Sequence, residues 1–278
     1  MSNEIKFYPG YIDGVDNGKR EYPPYDIGSM CVVGATGSGK TVLATNVFIQ
    51  LITLYTKDQI NIKVWDGKGV EYVKDYRSAK YVPELSIRNI DVISEAYSAV
   101  EKDIHSFLSE AVALIDARTI ALSELGVSNV YQLPKGQMPQ VVLFIEEICS
   151  TYIDNVDDIK NLLCYILQCG YAVGVHAIVV SQPYINFHKG LPYTYVLSTR
   201  LDEKCQKAFL GLIGGAVIEY AKYGDVVITR AGSLKYVKYK LPFYEDRKII
   251  EVSKGLMTPN GWVPNKRQKS NLKKFMER

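Results

Sequence analysis

The chain has 278 residues, of which 47% are hydrophobic and 23% are charged. This balance supplies enough apolar side chains for a packed core and excludes an intrinsically disordered protein. The length suits one large α/β domain with appendages, and the net charge of +3 excludes a protein that is basic throughout.

The sequence has no recognisable targeting signal, which predicts a cytoplasmic protein that does not insert into a membrane. The amino terminus, MSNEIKFYPGYIDG, lacks the basic and apolar regions of a signal peptide. The longest uncharged run, LLCYILQCGYAVGVHAIVVSQPY, is interrupted by Gln168, Gly170, Gly174 and His176, which favours a helix followed by a buried strand. Five cysteines without a Cys-x-x-Cys pair are expected to be structural thiols.

Three regions follow one another along the chain. Residues 1–27 contain scattered glycines and prolines and predict an irregular lead-in. Residues 28–258 alternate short β-branched runs with longer amphipathic segments, which predicts an α/β domain with a mostly parallel central sheet flanked by helices. Residues 259–278 form a basic tail, in which 262–278 hold six Lys/Arg and one Glu and suit contact with a polyanion or a solvated end.

The predicted strands and helices can be placed by residue number. Strands are expected at Met30–Val33, Ile60–Trp65, Val141–Ile145, His176–Ser181, Tyr195–Thr199 and Asp225–Thr229, with a late hairpin partner at Lys235–Lys240. Helices are expected at Lys40–Tyr55, Ala96–Leu125 and Val156–Gln168.

A glycine-rich loop stands between the first of these strands and the first helix. It fits the pattern G-x-x-x-x-G-K-[ST] with Gly34, Ala35, Thr36, Gly37, Ser38, Gly39, Lys40 and Thr41. The backbone N–H groups of such a loop, with the helix amino terminus, face phosphate oxygens. We expect Lys40 to reach the β- and γ-phosphates of ATP and the Thr41 hydroxyl to bind Mg²⁺.

Two adjacent carboxylates end a later buried strand, in the segment PQVVLFIEEICS. The carboxyl edge of an open α/β sheet is where ligands bind. Glu146 is expected to contact the magnesium shell, and Glu147 to orient and deprotonate an attacking water. Gln182 ends the strand HAIVVSQ and is a candidate to donate to the γ-phosphate or to position the water. His176, at the start of that strand, is expected to be a hydrogen-bonded structural residue.

Several segments in order resemble the FtsK/SpoIIIE family of DNA-translocating ATPases, within the wider FtsK–HerA group. The similarity extends from about Ile27 to Lys240 and is carried by GATGSGKT, VWDGKGVEY, LGVSNVYQL, GVHAIVVSQP, STRLDEK and GGAVIEYAKYGDVVI. The chain departs from the family pattern in four ways. Glu146 stands where aspartate is usual, Tyr171 falls where an arginine often precedes the Gly-Ile-His strand, and Gly67 replaces a proline in a change expected to be neutral. The connection from Gln182 to Arg200 is also a few residues shorter than in chromosomal translocases.

The resemblance implies a RecA-like P-loop NTPase that moves along double-stranded DNA as a homo-oligomeric ring, commonly a hexamer, and hydrolyses ATP with Mg²⁺ at subunit interfaces. It implies that Asp66 is the aspartate of the second strand. It also makes Arg200 the candidate arginine finger acting on a neighbour's nucleotide, with Arg118 and Arg230 as reserves. The segment PYINFHKGLPYTY contains His188, Lys189 and tyrosines that suit either a pore contact with DNA or a surface loop.

Alternative functions remain open on the sequence alone. A mobile-element motor would serve either conjugation or viral genome packaging, docking on a relaxosome, a membrane channel or a capsid portal. Related domains also power protein secretion, which makes a secretion or assembly ATPase the main alternative. The paired acids argue against a non-hydrolysing nucleotide switch, and no lid or substrate-pocket motif supports a small-molecule kinase.

Overall fold

An eight-stranded sheet flanked by helices forms the centre of the protein. The computed structural model describes residues 4–10, 12–15, 19–21, 24–68, 92–149, 156–211, 218–220, 224–230, 233 and 235–240. The strands are β1 Lys6–Phe7, β2 Ile12–Val15, β3 Lys19–Glu21, β4 Tyr25–Asp26, β5 Met30–Val33, β6 Ile60–Asp66, β7 Ile93–Ser98, β8 Gln140–Glu146, β9 Val175–Ser181, β10 Tyr195–Ser198, β11 Asp225–Arg230 and β12 Tyr236–Lys240. The α-helices are α1 Lys40–Leu54, α2 Ile104–Glu124, α3 Val156–Cys169, α4 Ile185–His188 and α5 Glu203–Leu210.

The strand order in the central sheet is β12-β11-β10-β5-β9-β8-β6-β7. The six strands from β10 to β7 are parallel, whereas β11 and β12 join antiparallel at one side. The predicted fold class, a mostly parallel sheet flanked by helices, is confirmed. Because parallel strands end at the same edge, this topology collects the residues that follow β5, β6, β8, β9 and β10 along one side of the domain.

Alternating residues of each central strand pack into two hydrophobic cores. On one face, α1 lies against alternate strand residues, and Phe48 contacts Phe144 with ring centroids 5.1 Å apart. On the other face, α2 and α3 cover side chains such as Val33 and Ile145. All seven residues of β8 and of β9 are buried, as expected for parallel strands that have helices on both faces. In the described part of the chain, no helix combines the length and apolar character needed to cross a membrane.

The helix predicted from Ala96 is wrong in its first turns. Residues Ile93–Ser98 form β7, parallel to β6, and the helix begins only at Ile104. Asp103 caps it, because its carboxylate accepts a hydrogen bond from the Ser106 amide at 3.2 Å. Most residues of β7 are half-buried. The sequence of β7 therefore lacks the continuous hydrophobic run that marked the other strands.

The segment predicted to be an irregular lead-in contains four short strands among its described residues. β1 pairs with β4 and β2 pairs with β3, in two small antiparallel sheets. Each of these strands has only two to four residues, too few for an alternating pattern to be recognisable in the sequence. The basic tail, residues 259–278, lies outside the described residues.

Candidate nucleotide site

The glycine-rich loop leaves the carboxyl end of β5 and leads directly into α1. Gly37 and Gly39 have φ values of 72° and 92°, in the left-handed region that glycine adopts without strain. Gly34 packs so closely against β10 that a Cβ there would lie 1.9 Å from the Thr199 hydroxyl oxygen. The loop therefore has the compact, glycine-dependent path that brings backbone N–H groups up to a phosphate.

Side chains beneath the loop fix its shape. Ser38 donates its hydroxyl to the Ala35 carbonyl at 2.6 Å, and its Oγ lies 2.5 Å from that of Thr199. The Ala35 amide also donates to the Arg200 carbonyl at 3.1 Å. These bonds anchor the loop to the end of β10 and fix the shape of the cradle.

The loop lysine reaches the acidic pair in this structure. Lys40 Nζ donates to Glu147 Oε1, and Lys68 Nζ lies 3.0 Å from the same oxygen. Burial pushes the pKa of Glu147 upward, but the hydrogen bonds and charges of Lys40 and Lys68 outweigh it and hold the pKa below its usual value. Sequence reasoning assigned no role to Lys68, and its only signal was its place two residues after Asp66 in VWDGKGVEY, a segment that carries the family resemblance.

The backbone at Glu147 is unusual. Its φ of 54° makes it the one non-glycine residue with positive φ in the described part of the chain. Such a conformation costs on the order of 1 kcal/mol or more and is concentrated at functional sites. The Glu147 amide donates to the Val180 carbonyl at 2.7 Å, which holds the strained residue against β9.

Glu146 has the properties expected of a metal-binding carboxylate. It is fully buried, and neither carboxylate oxygen has a hydrogen-bond partner among the described residues. Burial raises the pKa of Glu146 to about 8. The charge of Lys40 opposes this increase, and the charges of Glu147 and Asp66 add to it. Its orphaned carboxylate oxygens and the hydroxyl of the half-buried Thr41 are oxygen donors of the kind that Mg²⁺ prefers, alongside phosphate. The residues present therefore fit this ion.

The turn after β6 packs against the acidic pair. Asp66 is paired in register with Glu146, and the Gly67 amide donates to the Glu146 carbonyl at 2.9 Å. A Cβ on Gly67 would lie 2.9 Å from the Glu147 carbonyl oxygen. The replacement of proline at this position is therefore not neutral in this structure, because proline has neither the N–H nor the space that Gly67 uses.

Gln182 and Arg200 both lie at the carboxyl edge with exposed side chains. Gln182 follows Ser181, which is the register partner of Val33, the residue before the loop. Arg200 is held beside the loop of its own chain through its carbonyl, as described above. The structure thus brings Lys40, Glu147 and the backbones of Gln182 and Arg200 to one edge.

The two reserve arginines lie elsewhere. Arg118 is half-buried and donates to the carbonyls of Val173 at 2.9 Å and Pro139 at 2.7 Å. Burial lowers the pKa of Arg118 to about 10, and its guanidinium has a structural task near the amino ends of β8 and β9. Arg230 is exposed and pairs in register with Tyr195, at the amino end of β10.

The segment Pro183–Tyr195 is only partly a surface loop. His188 is buried, and its Nδ1 lies 2.9 Å from the hydroxyl of the buried Tyr193. Burial lowers the pKa of His188 to about 4, so it is a neutral internal residue and not a phosphate contact. Lys189 and Tyr184 remain exposed.

The cysteines are all free. Cys149 lies near His188, and burial raises its pKa to about 11, as expected of a structural thiol.

A parallel strand leads into a glycine-rich loop with Lys40, and two adjacent carboxylates lie at the carboxyl edge of the same sheet. These features define a P-loop ATPase, an enzyme that binds and hydrolyses ATP. A sequence profile of the FtsK/SpoIIIE family matches residues 16–189. Since the match covers more than half of the chain, the chain belongs to the FtsK/SpoIIIE family.

Individual relatives agree with this assignment. The DNA translocase FtsK of Clostridium tetani (strain Massachusetts / E88) is 25% identical over 239 residues, which are 80% of this chain and 30% of that protein. The chain thus spans less than a third of this relative.

Two solved structures share the fold. The pCW3 conjugation coupling protein TcpA, in its monomer form with ATPgS, has a TM-score of 0.63 at 16% identity, covering 90% of this chain and 69% of TcpA. The cytoplasmic domain of the Thermomonospora curvata type VII secretion ATPase EccC has a TM-score of 0.65 at 16% identity, covering 95% of this chain and 32% of that one.

Proposed function

We propose that this chain is the motor of an ATP-driven double-stranded DNA translocase that works as a homo-oligomeric ring, most simply a hexamer. The observation that supports this most is the contact of Lys40 with Glu147 at the carboxyl edge, in a chain of the FtsK/SpoIIIE family. The contact places the phosphate-binding lysine next to a carboxylate suited to activating water. Membership of the family leads us to expect that the free energy of ATP hydrolysis drives movement of DNA.

Binding of ATP would begin at the glycine-rich loop. Backbone amides between Gly34 and Thr41, with the amino terminus of α1, would surround the phosphates, and Lys40 would turn from Glu147 to the β- and γ-phosphates. Thr41 and Glu146 would hold Mg²⁺, whose charge would neutralise that developing on the phosphate oxygens. Glu146 must lose its proton to do so, because its pKa of about 8 leaves it mostly protonated at neutral pH.

Hydrolysis would use the residues beside the γ-phosphate position. Glu147, kept ionised by its lysines, would orient the attacking water and accept its proton. Gln182 would donate its side-chain amide to the γ-phosphate or to the water. Arg200, exposed at the same edge, would reach the nucleotide of a neighbouring subunit and stabilise the charge of the transition state, so that turnover depends on ring geometry.

The grip on DNA would come mainly from phosphate contacts. Lys189 and Tyr184 are exposed in the segment that follows β9, and the basic tail adds positive charge. Binding of this kind is salt-sensitive and reads little sequence. We place the motor in a mobile element, acting in conjugation or in viral genome packaging, with a relaxosome, a membrane channel or a capsid portal as its docking partner.

The experiment that tests this function is the effect of DNA on ATP turnover. Steady-state hydrolysis by the full chain should accelerate on addition of long duplex DNA at low salt and lose that acceleration as salt rises. Single-stranded DNA of equal nucleotide concentration is the control. Turnover that duplex DNA leaves unchanged would contradict translocation and favour a secretion or assembly ATPase. Relaxase genes beside this gene would indicate conjugation, and capsid genes would indicate packaging.

A further inference from the structure

A second lysine shares the carboxylate oxygen that the loop lysine contacts. Lys68 Nζ lies 3.0 Å from Glu147 Oε1, the atom that also accepts from Lys40. Lys40 and Glu147 have exposed side-chain fractions of only 7% and 1%, whereas that of Lys68 is 39%. Two cations of different accessibility therefore hold one buried carboxylate.

The position of Lys68 is set by the turn that ends β6. Its amide donates to Asp66 Oδ1 at 3.0 Å, and the preceding Gly67 amide donates to the Glu146 carbonyl. The first bond fixes the turn of residues 66–68, and the second ties that turn to the end of β8. The ammonium of Lys68 thus approaches Glu147 from a fixed backbone, and its contact does not depend on the glycine-rich loop.

Nucleotide binding must change the contacts of Glu147. A lysine at the position of Lys40 serves the β- and γ-phosphates, and an ammonium that turns to them gives up its bond to the carboxylate. A carboxylate as buried as Glu147 is costly to leave without a charged partner. Lys68 has no such competing role in the loop, and its exposed stem leaves it free to follow small shifts of the carboxylate.

We propose that Lys68 is a positioning residue for hydrolysis, which keeps the Glu147 carboxylate at the sheet edge when Lys40 turns to the phosphates. The inference rests on the proposed role of Glu147 in activating water. Lys68 acts through Glu147 and does not itself touch the nucleotide. Its loss is therefore expected to slow the chemical step and to spare ATP binding.

The test compares three variants of the full chain. Lys68→Met removes the ammonium and keeps the stem, and Lys68→Arg keeps a cation. Lys63→Met is the matched control, because it removes a lysine of β6, the strand that precedes Lys68, whose Nζ lies 2.6 Å from Glu95 Oε1. Melting curves verify that each variant is folded, with Lys68→Gln as a substitute should Lys68→Met fail to fold.

Steady-state ATP turnover and equilibrium binding of a fluorescent ATP analogue are measured for each variant. Lys68→Met should lower kcat by about tenfold or more, the range for residues that orient a catalytic group, and leave the dissociation constant within about twofold. Lys68→Arg should recover most of the turnover, and Lys63→Met should match the unaltered chain.

Three results for Lys68→Met would overturn the inference while leaving the ATPase intact. The first is an unchanged kcat, and the second is a raised kcat, which would mean that Lys68 restrains Glu147. The third is a loss of ATP affinity that matches the loss of turnover, which would mean that Lys68 is a phosphate ligand. Failure of the unaltered chain to hydrolyse ATP would instead overturn the proposed function, and the inference with it.

Discussion

Lys40 and Glu147 are 107 residues apart in the sequence and form a buried ion pair at the carboxyl edge of the sheet. Lys40 begins α1 and Glu147 follows the end of β8, so the pair joins the phosphate loop to the acidic strand end. A buried pair of this kind is a poor source of net stability, because desolvation offsets the attraction. The ion pair instead fixes the positions of the two groups, since it holds both where a triphosphate would bind.

Replacing Lys40 should abolish ATP hydrolysis. In Lys40→Ala the phosphates lose their cation, and we expect turnover to fall by about 100-fold or more, as when a donor to developing charge is removed. Steady-state phosphate release measures the change. Lys135→Ala, at an exposed lysine of the connection between α2 and β8, is the control and should hydrolyse ATP at the rate of the unaltered chain. Normal turnover in Lys40→Ala would contradict the role of the glycine-rich loop in ATP hydrolysis.

Glu146 should make the nucleotide-free protein less stable as pH rises. Its pKa is about 8 in the folded chain against an ordinary 4.5, so between those values the folded state binds more protons than the unfolded state. Stability is therefore lost as pH increases through this window, by at most about 1.4 kcal/mol per pH unit. Urea unfolding at several pH values should show that Glu146→Gln removes this slope. Equal slopes in the two proteins would contradict the buried, unpaired state of Glu146.

His176 should have the opposite dependence. It is fully buried at the start of β9, with Nε2 2.8 Å from Gln140 Oε1, and burial lowers its pKa to about 3. Unfolded histidine takes up a proton below about pH 6.5, so stability is lost as pH falls from there towards 3. His176→Gln, which keeps a hydrogen-bond donor, should reduce this acid sensitivity and leave ATP turnover near normal. A large loss of turnover would instead mean that His176 has a catalytic role.

The sequence was sufficient for the main architecture and the phosphate loop. Long apolar strands such as β8 and β9 were predictable because both faces are covered by helices, and the strand, glycine loop and helix followed one another without interruption. The paired acids could be placed at the carboxyl edge because parallel strands end together. β7 escaped prediction because it is half-buried, and its last residues, Ala96–Ser98, fit the helical pattern of the segment that follows.

The contacts between distant segments could not be predicted. No pattern indicated that Lys68 and Lys40 would contact the same carboxylate oxygen, or that Gly67 would lie too close to the Glu147 carbonyl oxygen to accommodate a Cβ. His188 resembled a residue poised for DNA, yet tertiary packing buries it beside Tyr193. These outcomes depend on which side chains the turns after β6 and β9 direct inward, and a single sequence does not encode that in any local pattern.

Arg200 should act on a neighbour's nucleotide if the protein works as a ring. Arg200→Ala and Lys40→Ala are each expected to be inactive alone. In a mixture, an Arg200→Ala subunit with an intact loop can receive Arg200 from a Lys40→Ala neighbour, so turnover should reappear. Arg230→Ala, at the opposite edge of the sheet, should remain active alone. A mixture no more active than its parts would assign Arg200 to its own nucleotide or to no catalytic task.

We propose that Lys40 and the edge formed by Glu146 and Glu147 act on one magnesium-bound triphosphate that water cleaves. The most direct test of this proposal is a comparison of ATP binding and single-turnover hydrolysis in Glu147→Gln. We expect this variant to bind ATP with Mg²⁺ as the unaltered chain does, yet to cleave it at least about 100-fold more slowly, in the range for loss of a general base. Cleavage of bound ATP at the unaltered rate would contradict the proposal.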